Sequence, residues 1–412
     1  MDDKRSFWDR TIARFRDWGD RGDDKTITVN PDLPDTDLER VRKQVEDCLN
    51  GIGGAVSARH RASELGRAYL KLSREGRIRF FQMLAAEYSV DHNAVAKASA
   101  RLLKSESTDE KRKIEAELRQ VLVPRCVELF MQFNSLDRGV KFLVDMRSDL
   151  LSMLSDHPEL RVLDHDMREL LRSWFDVGFL DMEQITFNSP AALLEKLIEY
   201  EAVHEIRSWD DLKNRLDWDR RCFAFFHPRM PEEPLIFVEV ALVNGMADNV
   251  QALLDEAAPV GDPTEADTAI FYSISNCQAG LAGVGFGDFL IKRVVERMQR
   301  KFPNLKTFAT LSPIPGFARW LSQAAGEEQP LLDGSEAGII RAMAQTDTVN
   351  EGLIKLLSVP DWRTDSDLVA ALKGPLSQLA ARYLVLEKDK RGRPRDPVAR
   401  FHLNNGARVE RI

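Results

Sequence analysis

A chain of 412 residues, 43% hydrophobic and 30% charged, has room for two or three globular domains and excludes a disordered or fibrous polymer. A formal net charge of −8 with no long basic run excludes an extended nucleic-acid footprint. The four cysteines, Cys48, Cys126, Cys222 and Cys277, have no CxxC spacing, so zinc and dithiol motifs are absent and free thiols in a reducing cytoplasm are expected.

The first 24 residues are charged and lack an apolar h-region, so they do not read as a secretory signal. Phe7, Trp8, Ile12, Phe15 and Trp18 give residues 1–20 one apolar helical face, expected to dock on the protein's own body. Residues 21–36, rich in Asp, Gly and Pro, read as a loop. Apolar residues then recur at three-to-four spacing over 39–49, 57–72, 76–88, 94–103, 109–133, 136–154 and 158–174, which predicts an antiparallel helical bundle. His60, His92, His157 and His165 are scattered there without a second ligand at metal spacing, and read as surface or capping residues. No run of 18 apolar residues occurs, so no transmembrane helix is expected.

The texture changes near residue 188, where a domain boundary is expected between residues 1–188 and 189–412. Short helices are predicted over 191–200 and 209–216. CFAFF (222–226) and LIFVEVALV (235–243) read as strands joined by the loop HPRMPEEP. A helical segment follows near 249–256. Residues 269–275 (AIFYSIS) are apolar, aromatic and β-branched, as in a buried strand, with Tyr272 and Ser273 expected to wall a site. Gly280, Gly283, Gly285 and Gly287 follow. A helical period then carries Phe289, Leu290, Val294 and Met298, and TFATL (307–311) returns to strand. Ser312-Pro313-Ile314-Pro315-Gly316 stops that strand, because proline removes donors and fixes φ. Helices are predicted from 317 to about 386, and a strand-like piece near 400–403.

Strand, glycine turn and helix read together either as a socket for a phosphate or as a glycine-rich turn that only permits tight helix–strand packing. Glycines leave backbone N–H groups unobstructed, and the helix N-terminus adds unpaired donors and a positive dipole end. Lys292 and Arg293 are candidate countercharges. The spacing is GxGxG, so neither a dinucleotide fingerprint nor a Walker lysine is present. Cys277 beside the turn reads as a small buried hydrophobe. His227, in FFHPRMP, reads as structural.

The pattern Ala282-x-x-Gly285-x-Gly287 is similar to the pyrophosphate loop of the GNAT acetyltransferase superfamily. Longer blocks are more specific. FFHPRMPEEPLIFVEVAL, AIFYSISNCQAGLAGVGFGDFLIKRVVE, LSPIPGFARWL and DPVARFHLNNGA strongly resemble the malonyl-CoA decarboxylase family, over essentially the whole chain. The resemblance implies an α+β multidomain chain. Its N-terminal all-α helical bundle would serve self-association. Its C-terminal α/β, GNAT-like catalytic domain would carry a mixed, largely antiparallel sheet. It further implies conversion of malonyl-CoA to acetyl-CoA and CO2 without metal or biotin, a homotetramer built as a dimer of dimers, and a step in malonate use or fatty-acid control; the free thiols and the lack of a secretory signal lead to the expectation of a cytoplasmic protein. The family's catalytic serine falls on Ser312 and its catalytic histidine on His402. Its CoA loop falls on Ala282, Gly283, Val284, Gly285, Phe286, Gly287 and Asp288, with Ile291 one turn on. Many relatives have Gln where Ala282 stands and Glu where Gly285 stands. The family's chains also continue past the segment that here ends at Ile412, so either this version is short or the sequence is truncated.

These residue types suit the reaction. A leaving carboxylate pushes its electrons onto the thioester oxygen, so the enzyme must orient the C–C bond, stabilise an enolate and protonate C2. A hydroxyl can orient and polarise the malonyl group, and an imidazole can deliver the proton near neutral pH. Taken alone, a Ser before Pro is a turn residue and a lone His is structural. Two other functions fit the same residues: a GNAT-type CoA-dependent acyltransferase, and a non-catalytic malonyl-CoA-binding protein.

Overall fold

A computed structural model describes residues 28–51, 54–134, 136, 138–285 and 287–412. The helix predicted over 1–20 lies outside them. Among the described residues no strand precedes Asp181. Eight helices come first: α1 (Asp35–Leu49), α2 (Gly54–Leu70), α3 (Arg74–Glu87), α4 (His92–Lys104), α5 (Thr108–Val121), α6 (Arg125–Asn134), α7 (Gly139–Met153) and α8 (Arg161–Trp174). Side chains mark the starts: Ser73 accepts from Gly76 N, and Asp91 from Asn93 N and Ala94 N. The single helix predicted over 109–133 is two, because Pro124 lacks the N–H that would continue α5 into α6.

Strand β1 (Asp181–Ile185) was not anticipated, since DMEQI has one buried apolar position and reads as polar coil. It pairs antiparallel with β2 (Arg220–His227), Asp181 opposite Phe226 and Ile185 opposite Cys222. Between them lie α9 (Ala191–Tyr200) and α10 (Trp209–Arg215). β3 (Met230–Val243) begins only two residues after β2, so the predicted HPRMPEEP loop is largely strand. After α11 (Val250–Leu254) comes β4 (Thr268–Asn276), then α12 (Gly287–Lys301) and β5 (Thr307–Thr310). β4 and β5 run parallel, Thr268 beside Thr307 and Phe271 beside Thr310. The sheet order is β1-β2-β3-β4-β5, a mixed and largely antiparallel sheet after an all-helical region. The chain ends with α13 (Phe317–Ala325), α14 (Gly334–Ala344), α15 (Val349–Leu357), α16 (Ser366–Val385) and α17 (Pro397–Asn404). The strand predicted near 400–403 is therefore helix: Asp396 caps it and Pro397 fits its first position.

The chain divides into two compact units. One comprises Met1–Asp217, Arg221–Glu239 and Ile274–Leu290, as far as they are described; the other comprises Trp218–Arg220, Val240–Ser273 and Ile291–Ile412. In the first, the Tyr69 ring meets Phe80, Phe81 and Phe142 edge-on at 5.4, 5.9 and 5.8 Å, and its hydroxyl donates to Asp149 Oδ2 at 2.8 Å. Burial pushes the Asp149 carboxyl up to about 6 although Arg77 opposes it. A second cluster sets Cys222, Ala224 and Phe226, alternate residues of β2, against Leu194, Leu197 and Leu212. In the second unit, Trp320, Leu321, Ile340, Leu353, Leu372, Leu379 and Tyr383 form the core of the last helices. All four cysteines are buried and none is in a disulfide. Burial pushes the Cys48 thiol up to about 11 and the Cys126 thiol up to about 12, and raises Cys222 and Cys277 as well.

One buried guanidinium knits the sheet-proximal part of the first unit. Arg215, 2% exposed, donates to both Asp211 oxygens at 2.7 and 3.2 Å, to Glu239 Oε2 at 3.2 Å, and to the carbonyls of His204 and Glu205 at 2.8 and 3.1 Å. Burial, with Glu201 nearby, pushes the Glu239 carboxyl up to about 8 against the pull of Arg215. Removing one partner of a buried pair leaves the other uncompensated. Arg215→Ala is expected to cost about 3–5 kcal/mol, read from the urea midpoint, and a loss below about 1 kcal/mol would show that water replaces the guanidinium.

Candidate active site

Two segments carry the sequence-predicted residues, one in each compact unit. The glycine turn follows β4. Cys277 N donates to Leu235 O at 2.9 Å and Gln278 Nε2 to Pro234 O at 2.9 Å, and residues Ala279–Leu281 make one 3₁₀ turn. Gly280 is forced by packing: a Cβ there would stand 1.8 Å from Val144 O of α7. Arg147 of α7, 1% exposed, donates through Nη1 to Gly280 O at 2.7 Å and through Nε to Asp164 Oδ1 at 2.9 Å. The helical region thus supplies the platform for the turn.

Beyond that platform the turn opens. Ala282, Gly283 and Gly285 are exposed, while Val284 is buried and contributes backbone alone. Gly283 has φ +76°, which favours glycine, and Arg168 Cδ lies 3.6 Å from where its Cβ would be. Gly285 has nothing within 4 Å of that position. Neither conformation nor packing demands glycine there, so a larger side chain would fit. Phe286 lies outside the described residues. Gly287 and Asp288 open α12, and Ile291, one turn on, is half-buried.

The second segment lies within the other unit. Ser312 follows the last residues of β5 and is exposed; His402 sits in the last turn of α17 and is half-buried. Though 90 residues apart in sequence, Ser312 Oγ and His402 Nε2 are 3.0 Å apart. Ser312 Oγ also lies 3.1 Å from Thr310 Oγ1, so one hydroxyl is shared between an imidazole and a second hydroxyl. Burial holds the His402 imidazole below the usual histidine range, so it is neutral at pH 7. A cleft of about 990 Å³ between α14 and α15 is lined by neither Ser312 nor His402.

Other candidates take structural places. His227 accepts from Arg229 N on Nδ1 at 3.1 Å, so its Nε2–H faces Trp174 O at 3.2 Å, and its ring lies 4.8 Å from Phe175. Tyr272 and Ser273 are 1% and 2% exposed, and Tyr272 joins Ala241, Leu253 and Ile270 in an apolar cluster; they are buried strand residues rather than walls. Cys277 is a protonated, buried thiol. Residues that the sequence did not signal are Thr310, Arg147 and Asp396. Thr310 lay within the TFATL strand, Arg147 within a helical stripe, and Asp396 inside the DPVARFHLNNGA block, from which only the histidine was singled out.

An all-helical region, a mixed sheet and a Ser–His contact beyond its last strand define the class: a two-part α+β chain. Comparison with known proteins gives the class its family. The profile of the malonyl-CoA decarboxylase C-terminal domain matches residues 178–412 and that of its N-terminal domain residues 88–175. The chain is 40% identical over 385 residues to "Malonyl-CoA decarboxylase, mitochondrial" of Rattus norvegicus, covering 90% of this chain and 75% of the relative; the Mus musculus protein of that name matches to the same extent. The crystal structure of malonyl-CoA decarboxylase from Rhodopseudomonas palustris is similar with a TM-score of 0.80 and 40% identity, covering 90% of this chain and 86% of that one. The chain belongs to the malonyl-CoA decarboxylase family. One expectation is corrected: the rat and mouse relatives are named mitochondrial, so the cytoplasmic assignment does not stand.

A Cβ at residue 280 must displace helix or turn. Gly280→Ala is expected to cost about 1–3 kcal/mol, as overpacking does. An unchanged thermal midpoint would show that the turn can move off α7 freely.

Proposed function

We infer that this chain is a carboxy-lyase that converts malonyl-CoA to acetyl-CoA and CO2. Family membership over 90% of the chain supports the reaction. The observation that carries the residue roles is the 3.0 Å contact between Ser312 and His402. Ser312, exposed on a rigid Ser-Pro turn, hydrogen-bonds the malonyl group and holds its C2–C3 bond perpendicular to the thioester plane. The C2–C3 electron pair moves into the thioester as CO2 leaves, giving an enolate. His402 then gives a proton to C2. The CoA pyrophosphate is assigned to the backbone of Ala282–Asp288 and the N-terminus of α12, with Ile291 beside it.

The same reading assigns residues 1–188 to self-association and 189–412 to catalysis, the latter GNAT-like because strand, glycine turn, helix and parallel strand follow one another as β4, the 282–288 turn, α12 and β5. Self-association, expected from the family as a dimer of dimers, has support in α4 and α5 only as a surface that could be covered. These helices bury only Ala98 and Ile114 respectively, and Leu103 is 87% exposed.

Two measurements test the reading. Ser312→Ala and His402→Ala are each expected to cut kcat by at least ~10²-fold with CoA affinity retained; near-normal turnover in either removes that residue from the chemistry. The second concerns charge. The free imidazole is neutral at pH 7, and an anionic malonyl carboxylate beside it raises its proton affinity. Binding therefore takes up a proton, and affinity falls as pH rises from the lowered pKa of the free imidazole to the raised one of the bound imidazole. Calorimetry of Ser312→Ala in buffers of different ionisation enthalpy is expected to show uptake with malonyl-CoA and none with acetyl-CoA. Equal behaviour of the two ligands would contradict a His402–carboxylate contact.

A further inference from the structure

We propose that Asp396 is a positioning residue for the Ser312–His402 pair, an inference that rests on the roles given to that pair above. Asp396 is 1% exposed. Its Oδ1 accepts from Val398 N at 3.0 Å and Ala399 N at 2.9 Å, capping α17. Its Oδ2 accepts from Gly316 N at 3.4 Å, a longer contact, and Gly316 is the N-cap of α13. One buried carboxylate thus stands at the positive ends of two helices, where anionic charge is stabilised. Those helices matter because of what they carry. Gly316 closes the turn that begins at Ser312, and α17 carries His402 in its last turn. Fixing Gly316 against the start of α17 fixes the hydroxyl against the imidazole.

The joint has little slack. A Cβ on Gly316 would lie 2.1 Å from Tyr383 Oη and 3.5 Å from Asp396 Oδ2, so the turn is held between those two side chains. Tyr383, itself buried, lies 5.3 Å from the Trp320 ring and 6.1 Å from Phe317, both on α13. Arg400 of α17 also pairs with Asp389 at 3.4 Å, but that pair is partly exposed and therefore weakened by solvent. Asp396 touches no reacting atom in this scheme; it acts through the distance between two groups that do.

The test separates tether from cap. Asp396→Asn keeps an Oδ1 acceptor for the cap and turns a donor toward Gly316 N. Asp396→Ser is also a good N-cap but too short to reach Gly316. Both are expected to keep the thermal midpoint within a few degrees and KM for malonyl-CoA within ~3-fold while lowering kcat by ~10- to 10²-fold. In a Ser312→Ala background, Asp396→Asn is expected to cost less than ~3-fold more, because the alignment it serves is already void. Wild-type kcat in either folded variant overturns the proposal. So does a fully multiplicative loss in the double variant, or loss of folding in both single variants, which would make Asp396 a residue of the fold alone. Failure of the Ser–His reading itself would appear separately, as near-normal turnover of Ser312→Ala.

Discussion

A hydroxyl and an imidazole 90 residues apart in sequence stand 3.0 Å from each other, and most of the second compact unit can be understood as what holds them there. Closing a loop of that length costs about 4 kcal/mol in the length-dependent entropy term alone. Burying one large apolar side chain returns about 1.5–3 kcal/mol. The intervening chain buries Trp320, Leu321, Ile340, Leu353, Leu372, Leu379 and Tyr383 in one cluster, so burial outweighs closure several times over. The insertion between β5 and α17 is therefore a packed body that delivers His402 rather than a tether. The polar contacts add direction to that apolar attraction, which by itself specifies no angle.

The first unit solves a parallel problem with charge. Arg147 and Arg215 are both buried, and each is aimed partly at backbone carbonyls: Gly280 for one, His204 and Glu205 for the other. A buried guanidinium is costly unless its N–H groups are all met, so each arginine selects one arrangement of the segments around it. In the case of Arg147 that segment is the turn preceding the glycines.

Much of this was legible in the residues. Three-to-four spacing marked the helices because their stripes are long; α8 buries Leu163, Met167 and Leu171, four apart. The continuous apolar runs of β2 and β3 marked strands buried on both faces. Ser312 and His402 came from blocks long enough to resemble a family. What failed were cases where one residue or a tertiary partner decides. Pro124 cut a helix whose apolar period ran through it. DMEQI became a strand only because β2 offered an edge. FHLN has the apolar content of a strand, yet Asp396 and Pro397 start a helix in front of it. Thr310, Arg147 and Asp396 acquire their places only from residues far away in sequence, and no local spacing encodes that.

The buried sulfurs have a consequence for handling and survival of the enzyme. All four thiols sit out of water with their protons held above the neutral range. Electrophiles and peroxides attack thiolates, so at neutral pH they find little reactive thiol on the folded protein. Oxidation of these four cysteines would have to wait for local opening of the chain, so the rate of that breathing would set how fast the thiols are lost.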